Sequence, residues 1–483
     1  MLPVYDFLLS VYDTGHAVFY FATYVVAVFL LWNGIEDLAV DFYYWIHTIF
    51  FPKWIEQLRG LPPSKLHTTP EKPIAVFVPA WHESAVIGHM LERACSTIHY
   101  KAYDIFVGIY PNDPETVEAV NAVSKRFPQV HAVIGPNPGP STKADNLNQI
   151  HQGMRQYENQ TGIRYDIILM HDSEDIIHPM SLKIVNHFVP EYDMVQLPVF
   201  PLEVPQREVV AWTYADEFAE NHLKDLVVRQ HFVGFVPSAG VGTGYNRWLI
   251  EFIGTSFAKN MFARASLTED YDIALRLAMG KAKILFLHQP FGLEVATRAY
   301  FPETFTAAVR QKTRWLIGIC LQSWKNYGWM GDWKFKFSLY RDRKAVLSNL
   351  VTMLAYVVLF LFFALELLRW VLEEYHELDP IIRPYTVLWY IGLVTTTLMI
   401  WRAVHRFYFV SHVYGWFAGL MGVLRLPVSN IVNFMAAFRA VKQYFHATRE
   451  NQPLKWDKTE HSFPTVHGAV GATRNAFKSK QVA

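Results

Sequence analysis

Asp172, Glu174 and Asp175 crowd the segment His171-Asp172-Ser173-Glu174-Asp175, directly behind an apolar run that starts at Asp166. Carboxylates this close offer hard oxygen ligands to Mg2+ or Mn2+, ions that usually bridge to a substrate's phosphates and act as a Lewis acid toward a departing diphosphate. The same residues also suit the first turn of a following helix, where acidic side chains favour the helix dipole. In Thr268-Glu269-Asp270-Tyr271-Asp272, Thr268 fits a helix cap and the acids behind it favour the dipole, so residue types alone demand no catalysis. Lys143, in Gly139-Pro140-Ser141-Thr142-Lys143-Ala144-Asp145-Asn146, stands where a loop enters a helix and can meet phosphate there. The spacing is not that of a Walker A loop, and an ordinary Pro/Gly turn fits as well. Gly240-Val241-Gly242-Thr243-Gly244 permits close approach of backbone to a ligand, or a simple bend. In Gln311-Lys312-Thr313-Arg314-Trp315 the guanidinium can grip phosphate and the indole can support a sugar ring. Arg and Trp beside a membrane are otherwise ordinary interfacial residues.

These groups need a scaffold that brings them to one edge. Between Lys72 and about Gly292, strand-length apolar runs starting at Ile74, Ile105, His131, Asp166, Met194 and Ile284 alternate with longer amphipathic stretches. That alternation predicts an α/β domain, in which ligands bind beyond the carboxyl ends of the strands. Polar residues follow the runs at those ends: Pro79-Ala80-Trp81-His82-Glu83 after the first, Pro111-Asn112-Asp113 after the second, and the acidic segment after the fourth.

The 483 residues exceed one ordinary domain, and 52% hydrophobic, 16% aromatic and only 18% charged residues place part of the chain in lipid. Two cysteines, Cys95 and Cys320, exclude a disulfide framework and a multi-cysteine zinc site. A net charge of +1 gives no pull toward nucleic acid. His16–Trp32 predicts a first membrane span; a cleaved signal peptide is not expected, because Asp6 and Asp13, with no Lys or Arg, precede it. Lys53, Arg59, Lys65 and Lys72 beyond it predict an outside N-terminus and a cytoplasmic domain. Val346–Leu368 and Tyr385–Trp401 predict a hairpin whose outer turn holds Glu373, Glu374, Glu377 and Asp379. From Phe407 to Phe438, Arg425, Pro427 and Asn430 interrupt the apolar pattern, so a tight hairpin or a re-entrant or interfacial helix fits. Arg439, Lys442, Arg449, Lys455 and Lys458 then predict a cytoplasmic C-terminus. Phe42–Ile55 is aromatic and amphipathic, which suits an interfacial anchor or packing on the soluble domain.

The order of these motifs resembles the processive membrane glycosyltransferases of family 2, which include cellulose, chitin and hyaluronan synthases. Thr268-Glu269-Asp270 matches the TED motif, Gln311 to Trp315 matches QxxRW, and Asp172-Ser173-Glu174 is a DxD-type motif with Glu in the last place. From PAWHESAVIG through GPSTKADNLN, HDSED, VPSAGVGTG and LTEDYD to WDKTEH, the chain is also similar to the bacterial inner-membrane phage-adsorption protein B group. The resemblance implies a Rossmann-like GT-A domain over residues 72–300, after a transmembrane helix and linker over 1–71. Interfacial helices with QxxRW would cover 301–345, transmembrane or interfacial helices 346–445, and a cytoplasmic tail 446–483. It further implies a UDP-sugar donor, an N-acetylated hexosamine, a growing glycan acceptor and an outer-membrane export partner. Asp270 would be the base, within Thr268 and Glu269. Asp172 with Glu174 or Asp175 would hold Mg2+ or Mn2+. Arg314 and Lys143 would steady the leaving group, and Gln311 and Trp315 would meet substrate, Trp315 at the acceptor entrance. Glu83 and Asp113 would contact the nucleoside, while Ser238, Gly242 and Thr243 would line the acceptor side.

Overall fold

The computed structural model describes residues 2–51, 64–258, 260–288, 294–373 and 380–450, together with 378, 452 and 454. Lys53, Arg59, Glu374, Glu377, Asp379, Lys455, Lys458, the WDKTEH segment and the end of Phe42–Ile55 lie outside these residues.

Strands β1 (Ile74–Pro79), β2 (Tyr103–Ile109), β3 (Val130–Ile134), β4 (Ile167–Met170), β5 (Met194–Gln196), β7 (Thr243–Asn246) and β8 (Ile284–Phe286) form one sheet in the order β3-β2-β1-β4-β7-β5-β8. All pairs are parallel except those of β7, which runs against β4 and β5. Both faces are covered, which is why β1 reads as an unbroken apolar run. Ile74, Val76 and Val78 pack with Ile105, Val107, Ile167 and Leu169 on one side. Ala75 and Phe77 pack with Phe106, Ile168 and Met170 on the other, as the two-residue period of a strand requires. The Met194 run is not one strand. Pro198 cannot donate to a ladder, and beyond it β6 (Val199–Pro201) leaves to pair with β9 (Thr297–Ala299) in a second, two-stranded sheet.

Antiparallel β7 has a consequence for the site. Its first residue, Thr243, pairs with Met170 and Gln196, the last residues of β4 and β5. The glycine-rich loop ahead of it therefore arrives at the same edge as the acidic segment behind β4.

Among the described residues three helices are long and apolar enough to cross a membrane, within Val4–Phe50, Ala345–Leu372 and Val387–Tyr414. They contain the first two expected spans and most of the third, which starts at Val387 because Thr386 caps it, accepting from the Trp389 N–H. The N-terminal helix runs unbroken from Leu2 to Phe50. The described part of the aromatic Phe42 segment continues it with one face inward and one outward: Tyr44 clusters with Phe200, Leu223, Val228 and Phe409, while Phe42, Ile46, Ile49 and Phe50 are exposed. The ambiguous stretch resolves into the end of the third helix, then Trp416–Leu424 and Leu426–Arg449, bent by 55° at their junction.

The helix Val209–Glu220 joins the membrane helices to the sheet domain. Its Asp216 receives the Arg425 guanidinium on both oxygens at 2.8 Å, at the junction of the bent pair. Glu217 holds Lys312 at 2.7 and 2.8 Å. Glu220 holds Arg406 at 3.0 Å and Lys224 at 3.1 Å, and Lys224 reaches Asp41 of the N-terminal helix at 2.6 Å. Removing one member of a buried ion pair strands the other and costs about 3–5 kcal/mol. Arg425→Ala is therefore expected to lower thermal stability in detergent by about that amount, with Arg425→Lys in between; an unchanged melting curve would show that the pair does not dock the bent helices.

Candidate active site

A cavity of about 1800 Å3 opens at the carboxyl edge of the sheet and is lined by Lys143, Asp172, Glu174, Asp175, Ser238, Thr268, Glu269, Asp270, Gln311, Arg314 and Trp315. Most residues singled out in the sequence thus meet, although 172 positions separate Lys143 from Trp315. Glu83, Asp113, Gly242 and Thr243 are not among its lining residues. Asp113 caps the helix Pro114–Ser124 and accepts the His82 N–H at 2.6 Å. Buried Thr243 braces the loop from behind through Ser238 at 3.1 Å and Gln196 at 2.7 Å.

Lys143 starts the helix Lys143–Thr161, which Thr142 caps by accepting from the Asp145 N–H. Its ammonium lies 2.5 Å from Asp172 and 3.6 Å from Glu269. Burial opposes that charge, but the Asp172, Glu269 and Asp270 carboxylates outweigh it and hold the lysine protonated well above its ordinary range. Glu269 is raised as well, which for an acid favours its neutral form. Burial, aided by the neighbouring Asp270 carboxylate, pushes its carboxyl up to about 7 against the pull of Lys143.

The acidic segment is not a helix cap: the next helix, Ser181–Phe188, begins beyond it with Met180 at its N-cap. Asp175 is committed to the protein, since its Oδ2 bonds His171 Nδ1 at 2.8 Å and accepts the Asp172 N–H at 3.0 Å. Burial raises its pKa, with His171 opposing. Asp172 and Glu174 present carboxylates to the cavity, and Ser173 Oγ donates to Glu174 Oε2 at 3.0 Å. Among the described residues no three His, Cys, Asp or Glu side chains form a ready-made metal centre. Two carboxylates completed by substrate oxygens are nevertheless the donor set that Mg2+ takes in phosphate sites, and this pair fits it.

Asp270 is the second residue of the helix Glu269–Met279, and Thr268 at its N-cap makes no side-chain cap bond. Asp270 Oδ1 accepts the Tyr271 N–H at 2.7 Å. A Cβ at Gly240, whose φ is +76°, would stand 2.8 Å from Oδ2, so only glycine lets the loop approach the carboxylate. Burial raises the Asp270 pKa, opposed by Lys143 and by the Tyr271 N–H. Arg314 sits on the helix Phe305–Leu316. Its Nε, like Gln311 Oε1, is buried without a hydrogen-bond partner, and such groups at a cavity wall favour a polar ligand. Sequence reasoning missed Gln196, which shapes the glycine-rich loop by accepting from the Ala239 N–H at 2.8 Å and donating to the Val241 carbonyl at 2.9 Å. Its one signal was a polar residue inside an apolar run.

A carboxyl raised from 4.5 to about 7 makes the folded chain hold a proton that the unfolded chain releases earlier, so stability falls as pH climbs through that window. Glu269→Gln should flatten that decline in thermal unfolding between pH 4.5 and 7, and a curve parallel to the parent's would show that the group titrates normally.

The family model of the glycosyltransferase-like family 2 matches residues 70–318. The bacteriophage adsorption protein B of Escherichia coli strain K12 and the bacteriophage N4 adsorption protein B of strain O157:H7 are each 38% identical over 496 aligned residues, covering 97% of this chain. The chain spans 65% of the length of these relatives. Among solved structures, the mannosyltransferase PcManGT from Pyrobaculum calidifontis, in complex with GDP-Man and Mn2+, matches with a TM-score of 0.54 at 14% identity, over 87% of this chain and 99% of that one. Its likeness concerns the fold. With its sheet domain matched by the family model and its DxD-type, TED and QxxRW residues gathered in one cavity, the chain belongs to glycosyltransferase family 2.

Proposed function

We propose that this chain is an inverting, metal-dependent transferase that uses a UDP-sugar to polymerise a glycan and pass it into the membrane. The observation that carries the reading is the cavity itself: it joins Asp270, Asp172, Lys143 and Arg314 to Tyr356, Thr395 and Thr396 on two membrane-crossing helices. An acceptor hydroxyl attacks the anomeric carbon, and Asp270 Oδ2 takes its proton. Oδ1 is already held by the Tyr271 N–H, which leaves Oδ2 as the receiving atom. The bond from the sugar to the diphosphate breaks with its electrons on the leaving oxygen, where Arg314 and Lys143 offset the charge. Asp172 and Glu174 would hold Mg2+ or Mn2+, which supplies Lewis-acid stabilisation to the diphosphate. Asp175 instead fixes the backbone that aims Asp172. Glu83 and Asp113 stand at the ends of β1 and β2, on the side assigned to the nucleoside, beside a Trp81–Tyr110 edge contact of 4.9 Å. Ser238 lines the acceptor side, with Gly242 and Thr243 bracing it, and Trp315 flanks the acceptor entrance. By the same resemblance the sugar is an N-acetylhexosamine, the product a surface polysaccharide passed to an outer-membrane partner, and the location a bacterial inner membrane with the N-terminus periplasmic.

A second reading transfers one sugar to a lipid carrier. Leu359, Met399 and Ile400 in the same cavity wall suit an acyl or prenyl tail, and the size of the product separates the two.

In detergent, nucleotide release from a panel of UDP-sugars and GDP-mannose should require Mg2+ or Mn2+ and favour one UDP-sugar. Asp270→Asn should lower turnover by roughly 10²–10⁴-fold while sparing UDP binding, as expected for loss of a general base; normal turnover in that variant removes Asp270 from the chemistry. Glu174→Gln should raise the metal concentration needed for half activity, whereas Asp175→Asn should lower melting temperature first. The reverse pattern would exchange their roles.

A further inference from the structure

Asp342 lies near the end of the helix Trp333–Arg343, three residues before the start of the membrane-crossing helix Ala345–Leu372. Arg229, from the helix Leu226–Val233, donates to both of its carboxylate oxygens at 2.8 Å. The Tyr271 hydroxyl donates to the same carboxylate at 2.7 Å, and the Cys320 thiol bonds the Asp342 carbonyl at 3.2 Å. Three elements thus meet on one side chain: the helix that carries Asp270, a helix of the sheet domain, and the segment that enters the membrane.

Tyr271 is the residue after Asp270 and is only 3% exposed. Its backbone N–H fixes Asp270 Oδ1, so a shift of the main chain at Tyr271 carries the carboxylate with it, and anchoring the ring by its hydroxyl restrains that shift. We propose that Asp342, together with Arg229, is a positioning residue for the base: it clamps the Tyr271 hydroxyl and thereby aims Asp270 Oδ2 into the cavity, in register with the foot of the membrane helix. Neither Asp342 nor Arg229 takes the acceptor proton. The bidentate pair supplies the rigidity, because a forked guanidinium holds a carboxylate in one plane, and the tyrosine hydroxyl reads out that plane.

This inference rests on the transferase reading, so its test has a readout that does not require turnover. Tyr271→Phe removes one hydroxyl and leaves the Arg229 pair intact; Asp342→Asn breaks the pair; Asp342→Glu restores its charge. In the full chain in detergent, Tyr271→Phe and Asp342→Asn should each lower kcat by roughly 10–100-fold, the scale on which a misplacement of about 1 Å acts. KM for the donor and UDP affinity should stay within about twofold, and the double variant should be no slower than the slower single variant, as for residues acting as one unit. Asp342→Glu should recover part of kcat. Hydrogen exchange of the amides at the start of the helix Glu269–Met279 should rise in both single variants. Wild-type kcat in Tyr271→Phe, or a loss that appears in KM instead, overturns the proposal. A wild-type chain silent with every donor overturns the transferase reading. In that event unchanged exchange in Tyr271→Phe also removes the clamp, and raised exchange retains it as a structural link.

Discussion

Desolvated charge on one short helix governs how the two halves of this molecule meet. Asp216, Glu217 and Glu220 of Val209–Glu220 each take a cation from a different element: Arg425 from the bent helices, Lys312 from the QxxRW helix and Arg406 from the third membrane-crossing helix. Charges taken out of water must be matched or they unfold what holds them. The pairs therefore leave little freedom in where the membrane helices sit. The placement of Arg314 follows from this, since it rides on the same helix as Lys312, and Lys312 is also held by Asn433 at 2.8 Å.

Within the cavity the same logic is used differently. Lys143 is shared among Asp172, Glu269 and Asp270, so one cation neutralises only part of an acidic wall. The excess negative charge is tolerable where a divalent cation and the guanidinium of Arg314 complete the balance. The local electrostatics and the proposed chemistry are thus compatible: the acidic wall leaves room for a cation, and the unpartnered Arg314 Nε for an anion.

Much of this was legible in the sequence because the signals are local. Strand β1 and the apolar cores of Ala345–Leu372 and Val387–Tyr414 follow from runs of a few positions, while the TED and QxxRW residues stood out through the family resemblance, their types alone leaving the reading open. What escaped is non-local. Asp216 meets Arg425 across 209 positions and Asp342 meets Arg229 across 113, and nothing near either residue announces its partner. The division of the Met194 run was readable at Pro198 but was hidden by the apolar residues on both sides of it. That Asp175 is tied to His171 needed the three-dimensional structure, since a string of acidic letters does not give it.

Arg425 stood out in the sequence as an interruption in an apolar stretch, and its buried pairing with Asp216 bears on biogenesis. A lone arginine in the middle of a membrane helix disfavours insertion by about 2.5–3.5 kcal/mol. The ribosome makes Asp216 well before Arg425, and domains generally fold as units with the N-terminal part first. A folded sheet domain can thus present the waiting carboxylate as the bent helices emerge. The bent helices then meet a carboxylate that the chain has already made, so for this pair the order of synthesis favours the order in which the charges find their partners.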